Sequence, residues 1–359
     1  MNIWNDQSEE FLYKYLNSSA PVSYEASGQK VWLEYLNQFT DDWGQDKYGT
    51  VYGVVNPGQD FKVVIEAHAD EISWYVNHIS DNGFIGVIRN GGSDHMIATS
   101  KKVKIHGSKG NVDGIFGWPA IHVRKGKDAN LAPKVDNIFV DVGAKDKDEV
   151  LAMGIHVGSI VTYDDRLHML NDTYYVGRAL DNRIGGYAIA EVARLLKEEK
   201  QSLPFTLYVV NAVQEEVGLR GAQMIAHRLD PDIAIVTDVC HDTNTPMLKP
   251  RQLGDIKAGK GPTLTYAPAV HNIVMDHIIA CAEEHDIPFQ RSASSRSTGT
   301  DTDALAYSKD GIPSCLISLP LRYMHTTVEM AHKDDIGNLI KLMYQSLVKI
   351  DPSMKLDYH

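Results

Sequence analysis

Four stretches of this chain are apolar almost without a break: FKVVIEAHA (61–69), FTLYVVNAV (205–213), DIAIVTDV (232–239) and PSCLISL (313–319). They are too short for helices and lack the alternation of a strand with one wet face, so both of their faces must be covered. The intervening segments have helical spacing, as in RIGGYAIAEVARLLKEEK (183–200), RGAQMIAHRL (220–229), NIVMDHIIACAEEHD (272–286) and DIGNLIKLMYQSLVKI (335–350). Buried strands alternating with amphipathic helices predict an α/β fold: a mostly parallel sheet with helices on both faces.

That alternation stops between residues 72 and 163. Short segments such as GFIGVI, KKVKIHG, VDGIFG and NIFVDVG follow one another, separated by Gly, Asp and Asn. This is the texture of an antiparallel, barrel-like domain with tight turns. The predicted plan is a discontinuous α/β domain over 1–71 and 164–359, with a small β domain inserted at 72–163. Two irregular segments are expected, an exposed loop at PAIHVRKGKDANLAP and a loose end at DPSMKLDYH.

The formal net charge of −12 argues against nucleic acid as a partner. No run is long enough to cross a membrane, and no basic-then-apolar leader opens the chain. Cys240, Cys281 and Cys315 are widely spaced and read as small buried hydrophobes, which suits a cytoplasmic setting.

The informative residues stand where the apolar runs end. His68 follows VVIEA, Glu215 and Glu216 follow LYVVNAVQ, Asp238 closes IAIVT, and His325 lies beyond CLISLPLRYM. Asp181 directly precedes a helix. In α/β sheets, sites gather outside the carboxyl ends of the strands, so these distant positions can converge. Two histidines and three carboxylates suit Zn²⁺ or Co²⁺, with Mn²⁺ also compatible, better than an all-oxygen Mg²⁺ site. The expected division is His68 and Asp238 on one metal, Glu216 and His325 on the other, and Asp181 bridging. Metals about 3.5–4 Å apart polarise a carbonyl and activate water. Asp70, two residues after His68, is placed to orient the imidazole. Glu215 is assigned to proton transfer, from the attacking water to the leaving amine.

Each residue alone has a plainer explanation. Asp181 would be a helix cap, either histidine a satisfied structural group, and the Glu pair a solvated turn. Asp238, deep in an apolar run, resists such a reading because a buried carboxylate needs a partner or a metal. His241 and Asp242 compete for its role.

Taken in order, HADEIS, ALDNR, QEEVGLRGA, VTDV and RYMH resemble the M42 family of metallo-aminopeptidases, also described as tetrahedral (TET) aminopeptidases, glutamyl aminopeptidases or endoglucanase M-like proteins. The resemblance covers almost the whole chain. It implies ligand roles for His68, Asp181, Glu216, Asp238 and His325, a base at Glu215 and a supporting role for Asp70. It further implies that the inserted β domain serves dimerisation, that homo-oligomers up to a hollow dodecamer form, and that short peptides are the substrates. Two departures stand out: Ser73 where the family often has glycine, and Asn182 where it often has aspartate. SSRSTGTDTDALAYS (294–308) resembles a loop near the family's active site. There Gly299, Asp301 and, from RYMH, Arg322 are candidates for substrate binding. Asp301 and Asp303 read equally well as a polar turn capping the next helix.

The function expected is a dinuclear-metal aminopeptidase. Rivals are a deacylase or carboxypeptidase with the same metal chemistry, and a peptide-binding assembly protein without turnover. A glycosidase would leave the histidines unexplained, and GKGPTL lacks the spacing of a phosphate-binding loop.

Overall fold

The computed structural model describes residues 1–126 and 130–358. The chain opens with α1 (Asp6–Asn17), α2 (Ala26–Leu36), β1 (Asp42–Gln45), β2 (Val51–Val55) and β3 (Lys62–His68). The barrel segment contributes β4 (Ser73–Ile79), β5 (Ile85–Asn90), α3 (His95–Ala98), β6 (Lys102–Gly107), β7 (Gly110–Gly117), β8 (Phe139–Asp141), α4 (Lys147–Ala152) and β9 (Ile160–Tyr163). Next come β10 (His168–Leu170), β11 (Tyr174–Gly177), α5 (Leu180–Glu198), β12 (Thr206–Ala212), α6 (Arg220–Leu229), β13 (Ile233–His241) and α7 (Pro250–Leu253). The chain ends with β14 (Thr263–Tyr266), α8 (Asn272–Glu284), β15 (Gln290–Ala293), α9 (Asp301–Ala306), β16 (Ser314–Arg322), β17 (Glu329–His332) and α10 (Lys333–Val348).

Packing divides the described chain into two units, Met1–Asp70 with Leu167–Met324 and Val328–His359, and Glu71–Arg166 with His325–Thr327. The first unit is a mixed α/β structure around one large sheet, ordered β1-β2-β12-β3-β13-β16-β17-β11-β10, with β14 and β15 paired beside β16. Its parallel part is the centre: β12, β3, β13 and β16 run in one direction, while the strands at either margin pair antiparallel. The four apolar runs of the sequence are these four central strands. Helices flank the sheet in two sets. α5 packs on β3, β13 and β12 and joins α1, α2 and α10, while α6 and α9 pack on each other.

The second unit is a closed barrel, β4-β5-β8-β7-β6-β9. Closure removes the exposed edges that so many short strands would otherwise present. Trp74 and Phe116 meet edge to face at 5.6 Å in its core.

The loop expected at 119–133 is exposed on either side of residues 127–129, which lie outside the described residues. The C-terminal tail departs from expectation. Met354 and Leu356 pack on the main core, and the Tyr358 ring stacks on His271 at 4.6 Å. Three apolar side chains spaced two apart give this segment an anchor that its polar composition hides. His359 lies outside the described residues. Among the described residues, no helix is long and apolar enough to cross a membrane.

Candidate metal centre

Register places the centre. β3 and β12 align so that His68 stands opposite Ala212, and the Ala69 N–H donates to the Ala212 carbonyl at 2.7 Å. The turn leaving β12 therefore starts beside His68. β13, on the other side of β3, carries Asp238 toward its carboxyl end. Asp181 arrives from the kinked first turn of α5, where Asp181 and Asn182 leave helical geometry.

Ligand atoms of His68, Asp181 and Asp238 lie within 4.8 Å of one another, and so do those of Asp181, Glu216 and His325. The groups share Asp181, so the described residues contain two metal-binding sites joined by one carboxylate. His68 Nε2 is 3.2 Å from Asp181 Oδ1 and 4.0 Å from Asp238 Oδ1. The donors are imidazole nitrogens and carboxylate oxygens, the set a borderline divalent ion prefers. Glu215 belongs to neither group, although its Oε2 reaches to 3.8 Å from His68 Nε2.

The electrostatics fit a cation. Burial pushes the Glu215 carboxyl up to about 10, with Asp238, Asp301 and Glu216 adding to the rise. Burial and the Asp181 carboxylate likewise raise Asp238 well above the usual range. Burial opposes charge on His68, yet the carboxylates of Asp181, Asp70 and Glu215 outweigh it and raise the imidazole well above its ordinary range. So many buried carboxyls resist ionising together, and two divalent cations would relieve that repulsion.

Asp70 stands 3.4 Å from His68 Nδ1. Its two oxygens also accept the backbone N–H groups of Glu215, at 3.0 Å, and Glu216, at 3.1 Å. These residues form a single 3₁₀ turn, Glu215–Val217, with Gln214 on one side and Gly218 and Leu219 on the other all in left-handed conformation. One carboxylate thus orients a ligand and fixes the turn carrying both glutamates.

Three supporting carboxyls have no assignment from the sequence. Glu329 Oε2 accepts the Asp181 N–H at 3.1 Å. Glu66, fully buried on the same face of β3 as His68, is a neighbour of the buried Asp301 carboxyl, and burial pushes Glu66 up to about 8. Glu25 is buried, and its Oε1 accepts the Ser23 N–H at 2.8 Å. A glutamate inside the apolar run VVIEA was the visible signal for Glu66; the other two carry no comparable mark.

The remaining candidates are placed as follows. Asp301 is buried at the start of α9, facing Glu66, while Asp303 caps the Thr298 and Gly299 N–H groups. Gly299 is exposed with φ +72. Arg322 Nε donates to the buried Asp242 carboxylate at 2.6 Å, and the guanidinium lies over the Tyr174 ring. Asp242 is thereby engaged, and His241 is exposed. Asn182 Nδ2 donates to the Thr237 carbonyl at 2.6 Å, linking α5 to β13. Ser73, buried, accepts from Asn90 Nδ2 at 2.9 Å.

The family profile described as M42 glutamyl aminopeptidase matches residues 49–342. The chain is 32% identical over 347 residues to the lysyl aminopeptidase of Pyrococcus furiosus, covering 96% of this chain and 97% of that protein. Its structure superposes on that of a TET aminopeptidase from the marine sediment archaeon Thaumarchaeota archaeon SCGC AB-539-E09 with a TM-score of 0.92, at 28% identity, covering 97% and 98% of the two chains. Against aminopeptidase APDkam598 of the archaeon Desulfurococcus kamchatkensis the TM-score is 0.88, at 30% identity and 96% coverage of each.

Proposed function

Because the chain belongs to the M42 glutamyl aminopeptidase family, a family of metallopeptidases, we propose that it removes N-terminal residues from short peptides, with Glu215 as the proton-transfer group. The observation that carries this reading is the shared Asp181 between two ligand groups, with Glu215 beside His68 of the first and part of neither. In this proposal His68 and Asp238 hold one divalent ion, Glu216 and His325 the other, and Asp181 bridges. Zn²⁺ or Co²⁺ suits the donors best. When bound, such ions polarise the scissile carbonyl and make water a nucleophile near neutral pH.

The chain's own residues do the rest. Glu215 takes the proton of the attacking water at its carboxylate and returns it to the departing amine nitrogen. Asp70 keeps the His68 ring and the 215–216 turn in register. Gly299, Asp301 and Arg322 are assigned to the substrate side, while Asp303, through the Thr298 and Gly299 N–H groups, holds the loop that bears Gly299. The proposal extends to a cytoplasmic homo-oligomer built from dimers through the barrel unit, with a tetrahedral dodecamer as its fullest form; light scattering on the purified protein measures the assembly.

The test of activity is digestion of one free peptide and its N-acetylated twin, with and without added Co²⁺ or Zn²⁺, followed by mass. Stepwise, metal-dependent loss from the free N-terminus alone supports the proposal. Cleavage of the blocked twin, or release from the other end, replaces it with a deacylase or carboxypeptidase reading. No cleavage under any metal leaves a peptide-binding assembly protein.

A further inference from the structure

We infer that Asn182 is a positioning residue of the metal centre: its side-chain amide ties the turn that carries Asp181 to the strand that carries Asp238, and so sets the spacing of two ligands of the first ion. The inference rests on the ligand assignment of the proposed function. Asp181 and Asn182 stand at φ −78, ψ 109 and φ −116, ψ 32, outside helical geometry, so the helix that follows does not aim the Asp181 carboxylate. On the β3 side, Asp238 lacks a strand ladder as well. β3 and β13 pair only as far as Glu66 and Val236, while His68 and Asp238 lie two residues further on. Thr237 is the first residue of β13 beyond that pairing, and its carbonyl accepts Asn182 Nδ2 at 2.6 Å. The neighbour of one ligand is therefore bonded to the neighbour of another.

The local structure is built around this amide. Asn182 is 1% exposed, and its Oδ1 is buried with no hydrogen-bond partner among the described residues. Leaving that atom unpaired is costly, so packing alone would favour an apolar side chain here. Gly185, three residues on in α5, makes room for the amide: a Cβ there would collide with Asn182 Oδ1. Glycine weakens a helix interior relative to alanine, and this close approach accounts for its presence. Two further bonds pass the tie on to the carboxylates. Glu329 Oε2 accepts the Asp181 N–H at 3.1 Å, so the turn is gripped by β17 as well as by β13. The Val239 N–H donates to Asp238 Oδ1 at 2.7 Å, so that carboxylate follows its own strand. A shift between the turn and β13 thus becomes a shift between ligand oxygens, and an ion holds displaced donors less tightly.

The experiment titrates Co²⁺ or Zn²⁺ into the metal-free protein by calorimetry and measures kcat and KM of the loaded protein on a free peptide. It compares the wild-type protein with Asn182→Ala, Asn182→Leu and Gly185→Ala. Asn182→Ala removes the donor and the volume together, while Asn182→Leu restores volume without a donor. Gly185→Ala keeps the amide but displaces it, in a helix that alanine otherwise favours. The expected result is one of the two binding steps weakened about 10–100-fold in Asn182→Ala and Asn182→Leu alike, and by less in Gly185→Ala. With metal in excess, kcat should fall about tenfold or more in the two Asn182 variants while KM stays within about threefold. If Asn182→Ala does not fold, Asn182→Leu and Gly185→Ala carry the comparison. Wild-type binding in Asn182→Leu would show that volume matters and the bond does not, which overturns the inference, as does unchanged binding in Asn182→Ala. A wild-type protein that takes up neither ion removes the ligand assignment and this role together. One that binds two ions yet cleaves no peptide refutes the aminopeptidase reading alone, and the titration still decides the role of Asn182.

Discussion

The carboxylate of Glu329 accepts the backbone N–H of Asp181 at 3.1 Å, so the residue common to both ligand groups is held through its main chain by a strand on the far side of β16. Asp181 sits in the kinked start of α5, where the helix does not fix its direction. Removing the acceptor takes this bond from a buried N–H and loosens the carboxylate shared by the two groups. Glu329→Ala should weaken metal retention by about 10–100-fold, and Glu329→Gln, which keeps a carbonyl acceptor, by less. Metal content after dialysis against graded chelator measures this. Equal retention in all three proteins would sink it.

Glu215 and Glu216 are neighbours with different surroundings, and substitution should separate them. Glu216 is in a ligand group and Glu215 is not. Glu215→Gln should bind both metals and lose about 10²–10⁴-fold in kcat. Glu216→Gln should lose one metal of the two. Elemental analysis beside steady-state kinetics distinguishes the cases, and a fully active Glu215→Gln would remove that residue from proton transfer.

Much of this arrangement is legible in the chain because strand physics leaves marks. Strands buried on both faces must be apolar, so the four central strands are visible as runs, and an acid or histidine at the end of such a run is conspicuous. His68 and Asp238 are seen this way. The barrel is visible through its turns. Marginal strands such as β10, β11 and β17, three or four residues long, leave no periodicity to read, and with them the antiparallel flanks of the sheet go unseen. Supporting carboxyls are harder still. Glu25 and Glu329 act on backbone N–H groups, and a backbone partner has no letter in the sequence. Asp301 lies in a polar stretch that looks exposed, while the fold buries its carboxyl.

The buried carboxyls give the metal-free protein a characteristic pH dependence. Burial pushes Glu25 and Glu66 each up to about 8 from an ordinary value of 4.5. The folded state therefore binds protons more tightly than the unfolded chain between those limits. The stability this provides is complete below pH 4.5 and is lost as pH rises toward 8, at up to about 1.4 kcal/mol per pH unit for each proton. The melting temperature of the metal-free protein should fall across that window. Bound divalent cations favour the ionised carboxylates, so the loaded protein should show a flatter profile, and Glu66→Gln should flatten that of the metal-free form. A metal-free protein that gains stability from pH 5 to 8 would contradict the assigned direction.

Arg322 can be tested for whether it serves the fold or the substrate. Asp242 is fully buried and takes the Arg322 Nε at 2.6 Å, while the arginine side chain remains 23% exposed over Tyr174. Arg322→Ala strands a buried carboxylate that, among the described residues, keeps the Asn244 N–H as a partner. Breaking a fully buried pair costs about 3–5 kcal/mol, and the exposure of Arg322 puts this one at the lower end. Replacing both members with apolar residues, as Arg322→Leu with Asp242→Leu, removes the stranded charge and should recover most of the lost stability. If Arg322 only supports the fold, activity recovers with stability. If it also contacts the peptide, the double variant is stable yet keeps a raised KM. Denaturant midpoints and KM measured on the same three proteins separate the two. A double variant as unstable as Arg322→Ala would show that the pair is not what holds this end of β16.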